Sequence, residues 1–150
     1  FSAPMLDVHE FLANRGLSDS FQQARRPLPC TVAYHDACHM IHGQGIAVQP
    51  RDLLRATPQL RLKEASEAGV CCGSAGIYNL VQPDEAAALG QLKADDLSNT
   101  GAEIVASANI GCSLQLRRYL SQDGPKVEHP MELLARSAGV GPFSATPSRS

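Results

Sequence analysis

The sequence lacks the features that would make nucleic acid or the membrane interior its expected environment. Its formal net charge is only −2, so there is no electrostatic reason to expect nucleic acid or an anionic membrane surface as a partner. No apolar run approaches the roughly 20 residues of a membrane-spanning helix, and no charged-then-apolar signal segment opens the chain. Internal repeats and an internal linker are also missing, so the 150 residues predict one domain.

The two ends of the chain differ from its middle. The sequence begins at Phe1 instead of Met, and its first residues resemble the middle of a structural unit, which suggests a segment of a longer protein. We expect an N-terminal helix and linker over 1–29, a cysteine-rich domain over 30–140 and a disordered tail over 141–150. A chain of this length can bury enough apolar surface for one core without disulfides.

Short apolar segments alternate with helical patterns along the chain. Strands are expected at 30–36, 60–64, 102–109 and 126–130, and helices at 8–16, 50–58, 83–101, 112–124 and 131–140. The segments 18–29 and 42–50 are polar or glycine-containing and predict loops. Because strands and helices take turns, the sequence predicts an α/β fold, a mostly parallel sheet flanked by helices in a single domain.

The chain has five cysteines, and their pattern is not that of a disulfide framework. They are Cys30, Cys38, Cys71, Cys72 and Cys112. An odd number, an adjacent pair and the lack of a signal segment all favour reduced thiols in a cytoplasmic setting. Reduced cysteines that do more than fill a core are usually metal ligands or nucleophiles.

Four of these cysteines follow predicted strands. The carboxyl ends of parallel strands meet at one edge of a sheet, where open α/β sheets bind ligands. We therefore expect a shared site that contains Cys38, Cys71, Cys72 and Cys112. The helix that should begin near Asn109 is expected to lower the pKa of the Cys112 thiol. Cys30 precedes its strand, so it is expected at the opposite edge as a core or surface thiol.

The spacing leaves the chemistry of that site open. Four thiolates suit either tetrahedral zinc or an iron–sulfur cluster, although no C-x-x-C knuckle typical of zinc sites is present. Ordinary buried cysteines are one alternative, and a thiol-based redox enzyme that uses the adjacent pair is another. Side chains expected around the site are His35, His39, Gly73, Tyr78 and Asn109; for the two histidines a hydrogen-bonding role is favoured over direct ligation.

Several stretches together resemble a known family. They are YHDACHMIHGQGI, PRDLL, CCGSAGIYNLVQPD, LKADDL and IVASANIGCSLQL. Together they resemble the cysteine-rich CCG domain, which is heterodisulfide reductase-like, over about residues 30–135. The stretch CCGSAG-x-YNL is similar to the C-terminal part of the glycolate oxidase (glycolate dehydrogenase) iron–sulfur subunit.

The resemblance implies an iron–sulfur electron-transfer module. It implies that Cys38, Cys71, Cys72 and Cys112 hold one [4Fe–4S] cluster, with zinc in a structural or docking domain as the alternative. Gln115 stands where the family often has the second cysteine of a C-x-x-C. The implied partners are flavin-containing subunits that oxidise glycolate to glyoxylate, a ferredoxin-like domain upstream in the same chain, and a quinone at the inner face of the membrane. The resemblance implies no catalytic residue in this segment itself.

Overall fold

A four-stranded parallel sheet forms the centre of the protein. The computed structural model describes residues 5–140. The strands are β1 (Cys30–His35), β2 (Leu60–Lys63), β3 (Ile104–Ser107) and β4 (Lys126–Glu128), in the spatial order β2-β1-β3-β4. The register pairs Cys30 with Leu60, Val32 with Ile104 and Ile104 with Lys126. The predicted α/β fold with a parallel sheet is confirmed.

Helices connect the strands and cover both faces of the sheet. They are α1 (Val8–Arg15), α2 (Asp19–Ala24), α3 (Val48–Arg55), α4 (Tyr78–Val81), α5 (Pro83–Asn99), α6 (Ile110–Tyr119) and α7 (Pro130–Ser137), with a π-helical turn at Met40–Gln44. Within residues 5–140, none of the helices has the length and apolarity that a bilayer span requires.

The period-2 alternation of the strands divides the core into two layers. Val32 and Tyr34 of β1 face a cluster that includes Leu54 of α3 and Leu133 of α7. Ala33 faces the opposite cluster, which contains Leu97 of α5, Leu116 of α6 and also Cys72 and Cys112. Burying each of these leucines stabilises the fold by roughly 1.5–3 kcal/mol. Odd-numbered residues of β1 therefore face the cysteine-bearing layer.

Local sequence signals account for the helix ends beside the sheet. Pro83 occupies the first turn of α5 together with Asp84 and Glu85, where acidic side chains interact favourably with the helix dipole. His129 and Glu132 form a reciprocal capping box at the start of α7. Both helices begin near the predicted positions because these signals are local.

The predicted loop 18–29 is wrong in part. Helix α2 begins there, because the Ser18 hydroxyl accepts a hydrogen bond from the Phe21 N–H at 3.2 Å and so caps the first turn. The π-helical turn at Met40–Gln44 and the short helix α4 were not predicted either. Of the predicted strand 102–109, only the four residues of β3 are in the strand; the carboxylate of Glu103, just before it, accepts a hydrogen bond from the Thr31 N–H at 2.8 Å.

The structure describes one of the two segments that flank the predicted domain. The segment 1–29 contributes α1, which packs against α3 of the domain predicted over 30–140. The tail predicted over 141–150 lies outside the described residues. The division of the chain at residues 29 and 140 stays a prediction.

Candidate metal centre

The carboxyl end of β1 supplies the first side chain of the site. His35 is the last residue of β1, and it lies on the same face of the strand as Ala33, the face that packs against the Cys72 and Cys112 layer. Only 2% of its surface is exposed. The chain then turns through Asp36 to Cys38, which is partly buried. One strand end thus positions an imidazole and a thiol within four residues.

The Cys71-Cys72-Gly73 turn is held tightly against α5. Gly73 has a φ of +80°, and a Cβ at this position would lie 2.5 Å from the Ala86 carbonyl oxygen. Only glycine fits there, because it tolerates a positive φ and leaves room for the helix backbone. The Gly73 N–H donates to the Cys71 sulfur at 3.4 Å. This turn therefore presents two neighbouring sulfurs and at least one backbone donor to the same region.

Helix α6 carries Cys112 in its first turn. Asn109 caps the helix, and its side-chain oxygen accepts a hydrogen bond from the Cys112 N–H at 3.0 Å. A Cβ on Gly111 would lie 2.8 Å from the Ser74 hydroxyl oxygen. The start of α6 therefore meets the turn that follows Cys72, and this contact brings Cys112 to Cys72.

Three buried donors come together at this point, and we call them the inner triad: His35, Cys72 and Cys112. Their ligand atoms all lie within 4.8 Å of one another. A metal ion with ligands at about 2.0–2.3 Å requires separations of this order between the ligand atoms. The inner triad therefore fits a shared metal ion or a metal of a cluster.

Cys38 and Cys71 lie beside the inner triad, and we call them the outer pair. Burial raises the pKa of the Cys71 thiol, the Gly73 N–H acts in the opposite sense, and the neighbouring Cys38 and Cys72 thiols raise it further. Both thiols of the outer pair also raise the pKa of Cys112 through their charge. The outer pair is partly exposed, whereas Cys72 and Cys112 are buried.

The two buried thiols of the inner triad have pKa values shifted in opposite directions, down for Cys72 and up for Cys112. The pKa of Cys72 is lowered chiefly by a hydrogen bond with the Cys112 thiol; burial acts in the opposite sense, and the adjacent His35 imidazole and the Ser74 N–H add to the lowering. The pKa of Cys112 is raised by the same hydrogen bond and by burial. The prediction of a lowered pKa at Cys112 is wrong. The Cys72 hydrogen bond, burial and the neighbouring Cys38 and Cys71 thiols outweigh the helix N-terminus, where the Cys112 N–H is already bound by the Asn109 cap.

His35 has two ring nitrogens without a hydrogen-bond partner within the described residues. Nδ1 and Nε2 are both buried and unpaired. A buried polar group without a partner costs about 1–3 kcal/mol, and such groups are rare in native proteins. A metal centre held by the neighbouring sulfurs would give this imidazole a partner, so the donor set fits the group that the sequence implies.

An arginine network fixes the turn that carries Cys38. The Arg51 guanidinium donates to both Asp36 carboxylate oxygens at 2.8 and 2.6 Å, and to Glu64 at 2.9–3.1 Å. It also stacks over the Tyr34 ring, 4.9 Å from the centroid. The ends of β1 and β2 are thereby tied together through α3. Sequence reasoning missed this role, although Arg51 belongs to the PRDLL stretch.

A lysine network fixes the approach to Cys71. Lys93 of α5 is 1% exposed and donates to the Glu67 carbonyl oxygen. Its Nζ lies 3.6 Å from the Asp96 carboxylate, which in turn accepts from the Ser66 and Glu67 N–H groups at 3.0 and 3.1 Å. The loop that leads to the paired cysteines is therefore anchored to one helix.

The other residues that the sequence singled out belong neither to the inner triad nor to the outer pair. His39 is exposed, Tyr78 is half-buried in α4, and Asn109 is the α6 cap. Cys30 begins β1 at the opposite end of the sheet, and burial raises the pKa of its thiol. The roles of these residues, and of the four cysteines as ligands, stay predictions.

The sequence of the chain also matches a known family. The family described as "Cysteine-rich domain" (CCG) matches residues 32–117, more than half of the chain. The chain belongs to the cysteine-rich CCG domain family. The match begins inside β1 and ends within α6, so it includes the inner triad and the outer pair.

Curated relatives of this CCG domain are components of redox complexes by name. It is 35% identical over 133 residues to a subunit of the CoM/CoB fumarate reductase of Methanothermobacter marburgensis, covering 87% of this chain and 26% of that protein. It is 33% identical over 115 residues to the probable glycolate oxidase iron–sulfur subunit of Bacillus subtilis, covering 74% and 26%. It is 31% identical over 142 residues to a subunit of the dihydromethanophenazine:CoB–CoM heterodisulfide reductase of Methanosarcina barkeri, covering 91% and 34%. The chain thus spans about a quarter to a third of the length of these relatives.

Proposed function

We propose that this CCG domain is the iron–sulfur electron-transfer module of an oxidoreductase complex. The observation that carries the proposal is the inner triad, whose three ligand atoms lie within 4.8 Å of one another beside two further thiols. Relatives named as iron–sulfur or reductase subunits support the same role.

The residues that would hold the cluster are the four cysteines of the inner triad and the outer pair. Cys38, Cys71, Cys72 and Cys112 offer the four thiolates that a [4Fe–4S] cluster takes. When bound, the cluster would accept and release one electron at a time. The protein supplies burial on the Cys72 and Cys112 side, and the Gly73 N–H donates to a ligand sulfur. Hydrogen bonding to sulfur and exclusion of solvent are the features by which proteins tune cluster potentials.

The complex that we infer oxidises glycolate to glyoxylate. A flavin subunit would take the two electrons and two protons released by the hydroxy acid, and this module would pass single electrons on towards quinone. The relative named glycolate oxidase iron–sulfur subunit supports this assignment, as does the CCGSAGIYNL stretch. An upstream ferredoxin-like domain and a peripheral position at the inner face of the membrane belong to the same proposal.

Metal analysis of protein purified without oxygen tests the proposed cofactor. We expect iron and sulfide in equal amounts, near four of each per chain for a [4Fe–4S] cluster. We also expect a broad visible absorption that decreases on reduction with dithionite. In the full complex, glycolate should cause the same decrease faster than lactate does. Iron-free protein would contradict the cluster, and equal rates for the two substrates would contradict the glycolate assignment.

A zinc-stabilised docking domain is the second candidate. It is favoured by the composition of the inner triad, because two thiolates and one imidazole are common zinc ligands. A zinc protein would be colourless and would contain one zinc per site with no sulfide. A thiol enzyme is less consistent with the structure, since Cys72, the thiol with the lowered pKa, is only 1% exposed.

A further inference from the structure

We propose that His35 is a direct nitrogen ligand of the metal centre, alongside Cys72 and Cys112. The inference rests on the proposed function in that it requires the four cysteines to hold a metal or a cluster. It adds an imidazole to four thiolates, so one iron of a [4Fe–4S] cluster would carry two protein ligands. The site then contains two kinds of ligand, and the nitrogen lies on its buried side.

The first argument is the position of the imidazole. His35 has its ring nitrogen within 4.8 Å of both the Cys72 and the Cys112 sulfur, and all three residues are buried. The strand places it there without adjustment, because β1 directs Ala33 and His35 to the same face and Cys72 and Cys112 pack in the layer on that face. The imidazole is therefore held by the sheet and not by a loop.

The second argument is the hydrogen-bond inventory of the ring. A neutral imidazole has one N–H donor and one acceptor nitrogen. A hydrogen bond from the ring to a thiolate would use the donor only and would leave the acceptor nitrogen buried without a partner. Neither nitrogen has a partner within the described residues. Coordination of a metal uses the lone pair of the acceptor nitrogen and leaves the N–H free to donate to a sulfur. Ligation thus gives the acceptor nitrogen a partner, which a hydrogen bond to a thiolate cannot do.

The third argument is that residue 115 has another task. The Gln115 side chain is 5% exposed, and its amide donates to the Ala86 carbonyl oxygen of α5 at 3.1 Å. It packs so closely that a Cβ on Gly90 would lie 3.2 Å from its amide nitrogen. Gln115 is therefore bound into the contact between α5 and α6. The fifth donor that we propose beside the four cysteines is therefore not residue 115 but the imidazole of His35, at the end of β1.

Cobalt(II) titration of the metal-free chain is the first test, because it does not require a cluster or enzymatic activity. The visible spectrum of bound Co²⁺ reports whether nitrogen and sulfur both ligate. We expect His35→Ala to weaken Co²⁺ binding by roughly tenfold or more, since loss of a mere outer hydrogen-bond partner already costs that much. His35→Cys should restore tight binding with a spectrum typical of sulfur ligands alone. His39→Ala removes a neighbouring but exposed histidine and should leave both affinity and spectrum unchanged.

Pulsed electron paramagnetic resonance of the reduced iron–sulfur protein is the second test. We expect a strong coupling to a histidine nitrogen in the wild type and in His39→Ala, and its loss in His35→Cys, which keeps a donor at the buried position. Labelling the histidines with ¹⁵N should change the coupling and so separate the imidazole from backbone amides.

The outcomes distinguish the two proposals. A cluster that assembles normally and shows no strong nitrogen coupling overturns the ligand role of His35 and leaves the proposed function standing. Zinc-only protein in which His35→Ala removes the nitrogen contribution to the Co²⁺ spectrum, and His35→Cys gives a sulfur-only spectrum, supports the ligand role of His35 and overturns the proposed cluster. A wild type that binds neither Co²⁺ nor a cluster overturns both. Circular dichroism of each variant shows whether it is folded. If His35→Ala is unfolded, the spectrum of His35→Cys decides whether His35 is a ligand.

Discussion

The two ends of the parallel sheet have opposite chemical character. At the carboxyl end, every strand is followed by a polar side chain or a cysteine: Asp36 and Cys38 after β1, Glu64 after β2, Asn109 and Cys112 after β3, and His129 after β4. At the amino end, Cys30 packs against the apolar cluster of Val32 and Leu60. The same residue type therefore has different properties at the two ends of one strand.

The difference shows what the topology contributes. All four strands run in the same direction, so residues distant in sequence gather at one edge and backbone pairing occupies the rest of the sheet. At the carboxyl edge, two charged networks centred on Arg51 and Lys93 hold the two loops that bring in Cys38 and Cys71. At the amino edge, the long-range polar contacts include the Thr31 N–H to the Glu103 carboxylate and the Arg25 guanidinium to the Thr57 hydroxyl. The buried charged side chains of Asp36 and Lys93 thus belong to the networks that hold the loops of the candidate site.

Substitution of single cysteines by serine is expected to give the largest difference between the two ends of the sheet. We expect Cys71→Ser, Cys72→Ser and Cys112→Ser each to remove most of the bound iron, because a hydroxyl is a poor replacement for a thiolate ligand. Cys30→Ser should retain wild-type iron, since its sulfur begins β1 at the amino end. Iron and sulfide analysis of protein purified without oxygen measures both. Equal iron in Cys30→Ser and Cys112→Ser would remove the distinction between the edges.

The arginine network predicts the next largest effect. Arg51→Met leaves the Asp36 carboxylate, whose side chain is 4% exposed, without its partner. Breaking a buried pair in this way is expected to lower the free energy of unfolding by about 3 kcal/mol. Urea unfolding of the metal-free chain measures it.

The same helix provides the control for Arg51. Arg55 also contacts Glu64 but is 53% exposed, so Arg55→Met should cost less than about 1 kcal/mol. If the two variants lost equal stability, the Arg51 network would have no special role in holding the carboxyl edge.

The lysine network predicts a smaller effect. Lys93→Met fills the same buried space but removes the donor to the Glu67 carbonyl oxygen. We expect a loss of about 1–2 kcal/mol and faster alkylation of Cys71, because the loop before it becomes less constrained. Lys63→Met is the matched control, since Lys63 is exposed and also donates to a carbonyl oxygen. Its loss of stability should stay within about 0.5 kcal/mol. Unchanged alkylation in Lys93→Met would show that other contacts hold the loop.

Local signals made much of the fold predictable. The strand at 30–36, the helix that begins at Pro83 and the parallel arrangement followed from alternation, a proline start and the order of elements. Helix α2 was missed because its stability depends on a Ser18 cap within an otherwise polar stretch. The π-helical turn at Met40–Gln44 has no simple periodic signature.

The sequence predicted that the four thiols share a site and that His35 lies around it, but not the contacts that hold the site. Four cysteines after strand ends indicated a shared edge, whereas the position of His35 depended on strand alternation, which directs it to the same face as Ala33. Arg51 and Lys93 act over 15 and 26 residues of sequence separation, and pairs at such distances leave no local pattern. The pKa of Cys72 is lowered and that of Cys112 is raised chiefly because of the contact between the two thiols. Only the assembled site determines these shifts.

The smallest expected effect concerns the histidine at the end of β4. Burial lowers the pKa of His129, and the His9 ring, 5.7 Å away, lowers it further; Asp7 and Glu132 oppose both. Below about pH 6.5 the unfolded chain then binds a proton that folded His129 does not, so stability falls as the pH decreases through this range. His129→Asn keeps a residue that can cap α7 but cannot titrate. The melting temperature of the metal-free variant should fall less than that of the wild type between about pH 7.5 and pH 5.5. An identical slope in the two proteins would place the proton uptake elsewhere, and His42→Asn, at an exposed position, controls for the loss of one histidine.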